Sequence, residues 1–198
     1  MNRFEVLKTI VPVVRDRLVV CNIGSPSQEL RFLCDQDSNF YMLGTMGLCS
    51  SIGLGLAMSC DESVIAIDGD GSILTNLGGL ATIANNPCSN FVLLIIDNGS
   101  YGSTGDQPTY AGAQTSLAKV AQACGCKHVV ECSGKHLAAT LEDVLERGTG
   151  GVIVCKCDPG QVPAPVVDLD PVVIAHRFSA RVSRGRLDHA GTSSANAA

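Results

Sequence analysis

The sequence has no tryptophan, few other aromatic residues and few charges. Aromatic residues make up 4% of its 198 positions and charged residues 17%, whereas 45% are hydrophobic. No apolar run approaches the roughly 20 residues that a membrane-spanning helix needs, so a membrane is not an expected partner. A chain of this length can bury one α/β core but is short for two catalytic domains. We therefore expect a single domain over residues 1–184, followed by a small, polar, disordered tail over 185–198.

Positive charge is scarce where negative charge is concentrated. The net charge is −5, which argues against nucleic acid as a partner. From Phe32 through Ala118 there is no Lys, Arg or His. An anion bound by this stretch would need a metal ion or backbone N–H groups, because its charged residues are all acidic: Asp35, Asp37, Asp61, Glu62, Asp68, Asp70, Asp97 and Asp106.

An export signal is also missing, and this affects how the ten cysteines are interpreted. The segment from Met1 to Glu5 lacks the apolar core and cleavage site of a secretory signal, so we expect a cytoplasmic location. Free thiols are then favoured over a disulfide framework. The close pairs Cys124/Cys126 and Cys155/Cys157 leave a zinc site as an alternative, but no histidine pair completes it, and buried small residues are the favoured interpretation.

Apolar runs and helical segments alternate along the chain. The runs predict parallel strands covered on both sides, at Leu18–Ile23, Val64–Ile67, Phe91–Ile96, Val152–Cys155 and, more weakly, His128–Cys132. Predicted helices lie before, between and after them, at Arg3–Arg17, Gly47–Ser59, Asn76–Asn85, Ser116–Cys124, Lys135–Arg147 and Val172–Val182. The alternation predicts an α/β fold with a doubly wound, mostly parallel sheet and helices on both faces.

Two predicted strands end in polar residues suited to a metal and a phosphate. Gly69-Asp70-Gly71-Ser72 follows the strand at 64–67, and Asn98 follows the strand at 91–96. Adjacent parallel strands would bring the oxygens of Asp70 and Asn98 together, and hard oxygen ligands suit Mg²⁺. The N–H groups of Gly71 and Ser72 could face a phosphate near the next helix N-terminus. The alternative is a pair of ordinary turn residues.

This pattern resembles the signature of thiamine-diphosphate enzymes, through Gly69-Asp70-Gly71 and Asn98 at this spacing. The resemblance implies the fold of their diphosphate-binding (PP-type) domain, with thiamine diphosphate and Mg²⁺ as cofactors. It assigns the metal to the side chains of Asp70 and Asn98 and the backbone carbonyl of Ser100. It also implies cofactor contacts from Gly69, Gly71, Ser72, Tyr101 and Gly102.

A second segment resembles the part of these enzymes that cradles the aminopyrimidine: Gly44-Thr45-Met46-Gly47. The resemblance implies that Met46 wedges beneath the bent cofactor, that the Gly44 carbonyl accepts from its 4′-amino group, and that Thr45 lies in the same cradle. Gly44 and Met46 are thereby the candidate catalytic residues. Met46 could instead be core filler, since methionine fills irregular gaps readily. Family members also contact the diphosphate at the position of Asn22, Gly24 and Ser27.

Further segments resemble the small subunits of sulfopyruvate decarboxylases, with the phosphonopyruvate decarboxylases close to them, over roughly residues 1 to 180. These segments are Val19–Gly24, Asn39–Gly44, Asn76–Ala84 and Tyr101–Thr109. Two positions depart from the pattern: the wider family often has Glu where Gly79 stands, and close relatives often have Gly at Asp106. The implied reaction is decarboxylation of a 2-oxoacid, 3-sulfopyruvate giving sulfoacetaldehyde, in sulfonate metabolism or coenzyme M biosynthesis.

One element of this chemistry is missing from the chain. Thiamine-diphosphate enzymes use a glutamate of the pyrimidine domain, and none of the six glutamates here lies in such a motif: Glu5, Glu29, Glu62, Glu131, Glu142 and Glu146. The resemblance therefore implies a partner, the pyrimidine-domain (alpha) subunit that supplies this glutamate, in a hetero-oligomer with at least two copies of each chain. Two alternatives remain: half of another thiamine-diphosphate enzyme, and a non-catalytic module that binds the cofactor.

Overall fold

A six-stranded parallel sheet forms the centre of the protein, in a computed structural model that describes the backbone of residues 1–194 and the side chains of residues 1–185. The strands of this sheet are β1 (Leu18–Cys21), β2 (Asn39–Tyr41), β3 (Val64–Gly69), β4 (Phe91–Asp97), β7 (Val129–Ser133) and β8 (Gly151–Lys156). Between β4 and β7, the short strands β5 (Ser100–Tyr101) and β6 (Gln107–Pro108) form an antiparallel hairpin. The spatial order of the sheet is β2-β1-β3-β4-β8-β7.

Eight α-helices accompany the strands within residues 1–194. They are α1 (Arg3–Val14), α2 (Ser25–Leu33), α3 (Cys49–Ala57), α4 (Asp70–Thr75), α5 (Gly78–Asn85), α6 (Leu117–Ala123), α7 (Leu137–Arg147) and α8 (Pro171–Ser194). Local chemistry fixes several ends: Asn2 and Glu5 form a capping box on α1, and Gly148 ends α7 in the left-handed conformation.

The helices bury both faces of the sheet. Alternate residues of each strand point to opposite faces, so Val64 and Ala66 pack in one core layer and Ile65 and Ile67 in the other. Helices α3, α5 and α6 cover the first layer, and α1, α2 and α7 cover the second. The prediction of a doubly wound, mostly parallel α/β sheet is confirmed.

The structure adds elements that the sequence patterns did not predict. Helix α2 begins at Ser25 with Pro26 in its first turn, where proline is well tolerated, yet its Gly-Ser-Pro-Ser start reads as a loop. Strand β2 is only three residues long, too short for a periodicity to show. The glycine-flanked Asp70 begins a separate short helix, α4, ahead of α5.

The last helix is longer than predicted. Helix α8 extends to Ser194, so residues 185–194 of the tail predicted to be disordered have helical backbone, and residues 195–198 lie outside the described residues. All ten cysteines are free thiols. Within the part of the chain that the structure describes, no helix combines the length and apolar character needed to cross a membrane.

Candidate functional site

A cavity of about 310 Å³ opens at the carboxyl ends of β1, β3 and β4. Open α/β sheets bind ligands at this edge, where the strand order switches direction. Strands β3 and β4 are hydrogen-bonded parallel neighbours, with Gly69 opposite Ile96. Most of the predicted site residues line the cavity: Asn22, Gly24, Met46, Gly69, Asp70, Gly71, Ser72, Asn98, Ser100, Tyr101 and Gly102. We call this cavity the strand-tip pocket.

Three predicted residues are not in its lining. Ser27 is buried in α2 and donates hydrogen bonds to the carbonyls of Cys21 and Asn22, at 3.1 and 2.8 Å, so it braces the loop after β1. Gly44 and Thr45 precede Met46, and the Thr45 hydroxyl donates to the Gly44 carbonyl at 2.7 Å. The Gly44 carbonyl, the predicted acceptor for the 4′-amino group of the cofactor, therefore already accepts a hydrogen bond from Thr45.

Asp70 is the first residue of α4 and is buried. Its Oδ2 accepts a hydrogen bond from the Thr109 hydroxyl. Burial raises the pKa of the Asp70 carboxyl, the Thr109 hydrogen bond opposes that rise, and the nearby Asp97 charge adds to it. A cation at Asp70 would relieve the cost of burying this charge. Thr109 was not a predicted site residue.

Asn98 and its neighbours offer groups that can take a ligand. The Asn98 side-chain oxygen accepts from the Ser100 N–H at 3.2 Å, while its buried Nδ2 has no hydrogen-bond partner among the described residues. Ser100 pairs across the hairpin with Pro108, which has no N–H to donate to the Ser100 carbonyl. A Cβ added at Gly69 would meet nothing within 4 Å. The site therefore offers oxygen ligands from Asn98 and Ser100, a free donor at Asn98 Nδ2 and open space beside Gly69. These features fit a diphosphate with bound magnesium.

The loop that carries Met46 is tied to α4. The Gly47 N–H donates to Ser72 Oγ at 2.9 Å, and Asn76 Nδ2 donates to the Gly47 carbonyl at 2.9 Å. Gly47 has a φ of +93°, and an added Cβ would lie 2.4 Å from Thr75 Oγ1, so this turn requires glycine. Met46 is 45% exposed and lies at the rim of the strand-tip pocket, since it also lines it. This exposure is contrary to a core-filling role.

The β5–β6 hairpin forms another wall of the strand-tip pocket. Ser25 and Ser103 hydroxyls lie 3.0 Å apart, and Gln161 Nε2 donates to the Gly102 carbonyl. Asp106 has a φ of +57° and accepts from Ser100 Oγ at 2.8 Å. This positive φ explains why glycine suits the position. Asp106 itself is not in the pocket lining.

A cation reaches the pocket from outside the stretch that lacks cations. Arg3, in the first turn of α1, lines the strand-tip pocket and is ion-paired with the buried Glu29 at 2.8 Å. The expectation that an anion here would meet only a metal and backbone N–H groups is therefore incomplete. The sequence carried no local signal for this, because Arg3 and Glu29 lie in different helices.

The parallel sheet and the cavity at the carboxyl ends of its strands define an α/β domain of the class that binds a ligand at the sheet edge. The chain belongs to the thiamine pyrophosphate (thiamine diphosphate) enzymes, since residues 23–157 match the family described as "Thiamine pyrophosphate enzyme, C-terminal TPP binding domain". Thiamine diphosphate is the cofactor of this family, and the prediction of that cofactor is confirmed.

Relatives refine this placement. The chain is 47% identical over 178 residues to sulfopyruvate decarboxylase subunit beta of Methanococcus maripaludis, covering 90% of this chain and 96% of the relative. It is 37% identical to phosphonopyruvate decarboxylase of Streptomyces viridochromogenes, covering 89% of this chain and 45% of the relative. Both predicted resemblances are confirmed.

The fold also matches solved structures. Benzoylformate decarboxylase from Polynucleobacter necessarius superimposes with a TM-score of 0.64 at 20% identity, covering 81% of this chain and 33% of that one. The chain thus spans about a third of the length of this solved enzyme, and at this identity the match concerns the fold alone.

Proposed function

We propose that the chain is the cofactor-binding subunit of a two-subunit 2-oxoacid decarboxylase that converts 3-sulfopyruvate and a proton to sulfoacetaldehyde and CO₂. The observation that carries the proposal is the near full-length match to a sulfopyruvate decarboxylase beta subunit, on a chain whose strand-tip pocket gathers the residues expected to hold the cofactor. Bound thiamine diphosphate supplies the electron sink for loss of CO₂.

In this proposal the chain's own residues bind and orient the cofactor. The Asp70 and Asn98 side chains and the Ser100 carbonyl would hold Mg²⁺, a hard cation that prefers oxygen ligands and would neutralise the charge of the diphosphate. Gly69 and Gly71 let the backbone approach the diphosphate closely, and the N–H groups of Gly71 and Ser72 face it. Met46, held through Gly47 by Ser72 and Asn76, supports the aminopyrimidine at the pocket rim.

The partner subunit is proposed to supply the glutamate that this chain lacks. None of the six glutamates of this chain is in the described lining of the strand-tip pocket. Glu29 is paired with Arg3, and Glu62 with Arg181. Large apolar side chains are exposed in the Met46 loop, in α3 after it, and next to Asn76, which is hydrogen-bonded to Gly47. We call these the apolar rim: Leu43, Met46, Leu48, Ile52 and Leu77. Apolar surface concentrated beside a half-open pocket is typical of an interface between subunits.

The test is reconstitution of the chain with its pyrimidine-domain partner. We expect CO₂ release from 3-sulfopyruvate only when both subunits, Mg²⁺ and thiamine diphosphate are present. Phosphonopyruvate is the competing substrate, because a relative at 37% identity is a phosphonopyruvate decarboxylase. Pyruvate, which has no anionic group at C3, is the second comparison. A higher kcat/KM on phosphonopyruvate would overturn the substrate assignment, and cofactor binding without turnover of any 2-oxoacid would favour a non-catalytic module.

Replacing Asp70 tests the site itself. Asp70→Ala removes one of two side-chain metal ligands, so we expect the assembled enzyme to lose Mg²⁺-dependent retention of thiamine diphosphate on gel filtration while its circular dichroism stays unchanged. Asp143→Ala, which removes an exposed carboxylate on α7 paired with Arg147, is the matched control and should retain the cofactor. Unchanged retention in Asp70→Ala would refute the metal assignment.

A further inference from the structure

The Arg3–Glu29 pair is a buried ion pair in the wall of the strand-tip pocket. Arg3 Nε and Nη2 each donate to one oxygen of the Glu29 carboxylate at 2.8 Å. The Arg3 side chain is 7% exposed and that of Glu29 1%. Burying two charges costs solvation free energy that their mutual attraction rarely exceeds. Stability alone is therefore a poor explanation for this pair, and the place of Arg3 in the pocket lining points to a role in binding.

The geometry leaves part of the guanidinium available. Glu29 occupies Nε and one side of Nη2, and Nη1 has no hydrogen-bond partner among the residues that the structure describes. The two-pronged contact with Glu29 fixes the orientation of the planar group. Arg3 is the one Lys, Arg or His residue in the described lining of the strand-tip pocket. The remaining N–H groups are thus preoriented donors for an anion.

Burial indicates which end of the ligand Arg3 meets. Met46 is 45% exposed, whereas Arg3 and Asp70, which line the same pocket, are 6% and 1% exposed, so both belong to its buried wall. The reacting end of the cofactor and the substrate belong at the rim, where the partner subunit closes the site. The diphosphate belongs at the buried wall, beside Asp70 and Asn98.

We propose that Arg3, oriented by Glu29, binds the terminal phosphate of thiamine diphosphate. This inference rests on the proposed site for the cofactor and adds to the metal a protein cation from the first turn of α1. Glu29 is a positioning residue in this arrangement, because it acts through Arg3.

The test uses the enzyme assembled with its partner and compares two ligands that differ by one phosphate. Thiamine diphosphate and thiamine monophosphate are titrated calorimetrically at fixed Mg²⁺ into the wild type and into Arg3→Gln/Glu29→Gln. The double substitution avoids leaving Glu29 buried without its cation. We expect its affinity for thiamine diphosphate to fall about 10- to 100-fold, as for loss of hydrogen bonds to a charged group, and that for thiamine monophosphate to change little.

Matched variants separate binding from folding. Arg31→Gln removes a cation of α2 that pairs with Asp168, outside the pocket lining, and should bind both ligands like the wild type. If the double variant does not fold, Arg3→Lys is used instead. It keeps the charge but loses the planar group that makes two hydrogen bonds to Glu29. Its affinity for thiamine diphosphate should fall by a smaller factor, and its affinity for thiamine monophosphate should not change.

Several results would overturn the inference. Equal losses for the two ligands would give Arg3–Glu29 a structural role, and so would unchanged affinity for both. A raised KM for the 2-oxoacid at saturating cofactor, with cofactor affinity unchanged, would assign Arg3 to the substrate. A wild-type enzyme that fails to bind thiamine diphosphate would instead refute the proposed function.

Discussion

Single side chains with no signal in the sequence control the environment of the strand tips. Thr109 is buried and donates to Asp70, 39 positions away in the sequence. Lys156, at the end of β8, pairs with the buried Asp97 that precedes Asn98. Thr109 thus fixes the orientation of Asp70, the proposed metal ligand, and Lys156 neutralises Asp97; residues that orient a metal ligand in this way tune metal affinity.

Thr109 provides a prediction at this scale. Thr109→Val removes the hydroxyl but keeps the shape, so Asp70 loses its side-chain donor and is held less firmly. We expect the Mg²⁺ concentration for half-maximal thiamine diphosphate binding to rise about 10-fold. The measurement is a cofactor titration at a series of Mg²⁺ concentrations. Thr109→Ser keeps the hydroxyl and should resemble the wild type; equal behaviour of the two variants would exclude the hydrogen bond as the cause.

The sequence predicted those site residues that follow strands, and not those that reach the site across the fold. Asp70 and Asn98 were predictable because a strand-helix-strand step must bring consecutive parallel strand ends together. Arg3 and Thr109 were not, because α1 and the segment after the hairpin approach the pocket through tertiary packing. The assignments of individual residues to metal and cofactor stay predictions.

Close packing between elements depends on particular glycines. Helix α3 lies directly on the sheet: a Cβ added at Gly53 would lie 2.8 Å from the Ala66 Cβ and 2.9 Å from Phe91 Cε2. On the same helix, a Cβ at Gly55 would meet nothing within 4 Å. Both glycines have ordinary helical surroundings in sequence, so only the packing distinguishes them.

Alanine at these two positions should have opposite effects on stability. Gly55→Ala should stabilise the protein by about 0.5–1 kcal/mol, because alanine favours the helix and has room. Gly53→Ala gains the same propensity but overpacks the helix–sheet contact, at a cost of about 1–3 kcal/mol. Denaturant unfolding of the two variants checks this. Equal stabilisation of both would show that α3 does not lie so close to β3.

The pairing of β7 with β8 places two thiols side by side. Cys132 is in register with Cys155, and a hydrogen bond from Cys155 lowers the pKa of the Cys132 thiol, against the opposing effect of burial. Because a lowered pKa yields thiolate at lower pH, Cys132 is the more reactive thiol of the pair near neutrality.

The pH dependence of alkylation tests this pairing. We expect the rate of iodoacetamide modification at Cys132, followed by mass spectrometry, to rise with pH around a midpoint below that of an ordinary thiol. In Cys155→Ala the donor is lost, so the midpoint should move upward, towards that of an ordinary thiol. An unchanged midpoint in that variant would show that Cys155 is not the cause.

At the scale of the whole molecule, the strand-tip pocket is closed on the sheet side and open beside the apolar rim. Arg3, Asp70 and Asn98 are buried, whereas Met46 and Ile52 are exposed in the single chain. Such a pocket holds one end of a ligand and leaves the other to be covered. This division of the site follows from the fold and matches the proposed dependence on a partner.

Ile52, on α3 within the apolar rim, tests where the partner binds. Ile52→Asp would place an unpaired carboxylate in the interface, so we expect the affinity between the two subunits to fall at least about 100-fold, a loss typical of an interface hot spot. Val172→Asp, at a residue 74% exposed at the start of α8, is the control and should assemble normally. Calorimetry of subunit mixing gives both values; equal affinities would locate the interface elsewhere.

Helix α8 has a further consequence for the sheet. It contributes Ile174 to one core layer and Val182 to the other. The rings of Phe178 and of Phe40 in β2 lie 5.5 Å apart. The helix therefore crosses the outer side of β2, an edge strand of the sheet. An uncovered edge strand presents unpaired peptide groups that recruit other chains into intermolecular sheets. By lying across β2, with Arg177 paired to Asp35 and Asp37, the helix protects the protein from aggregation through that strand.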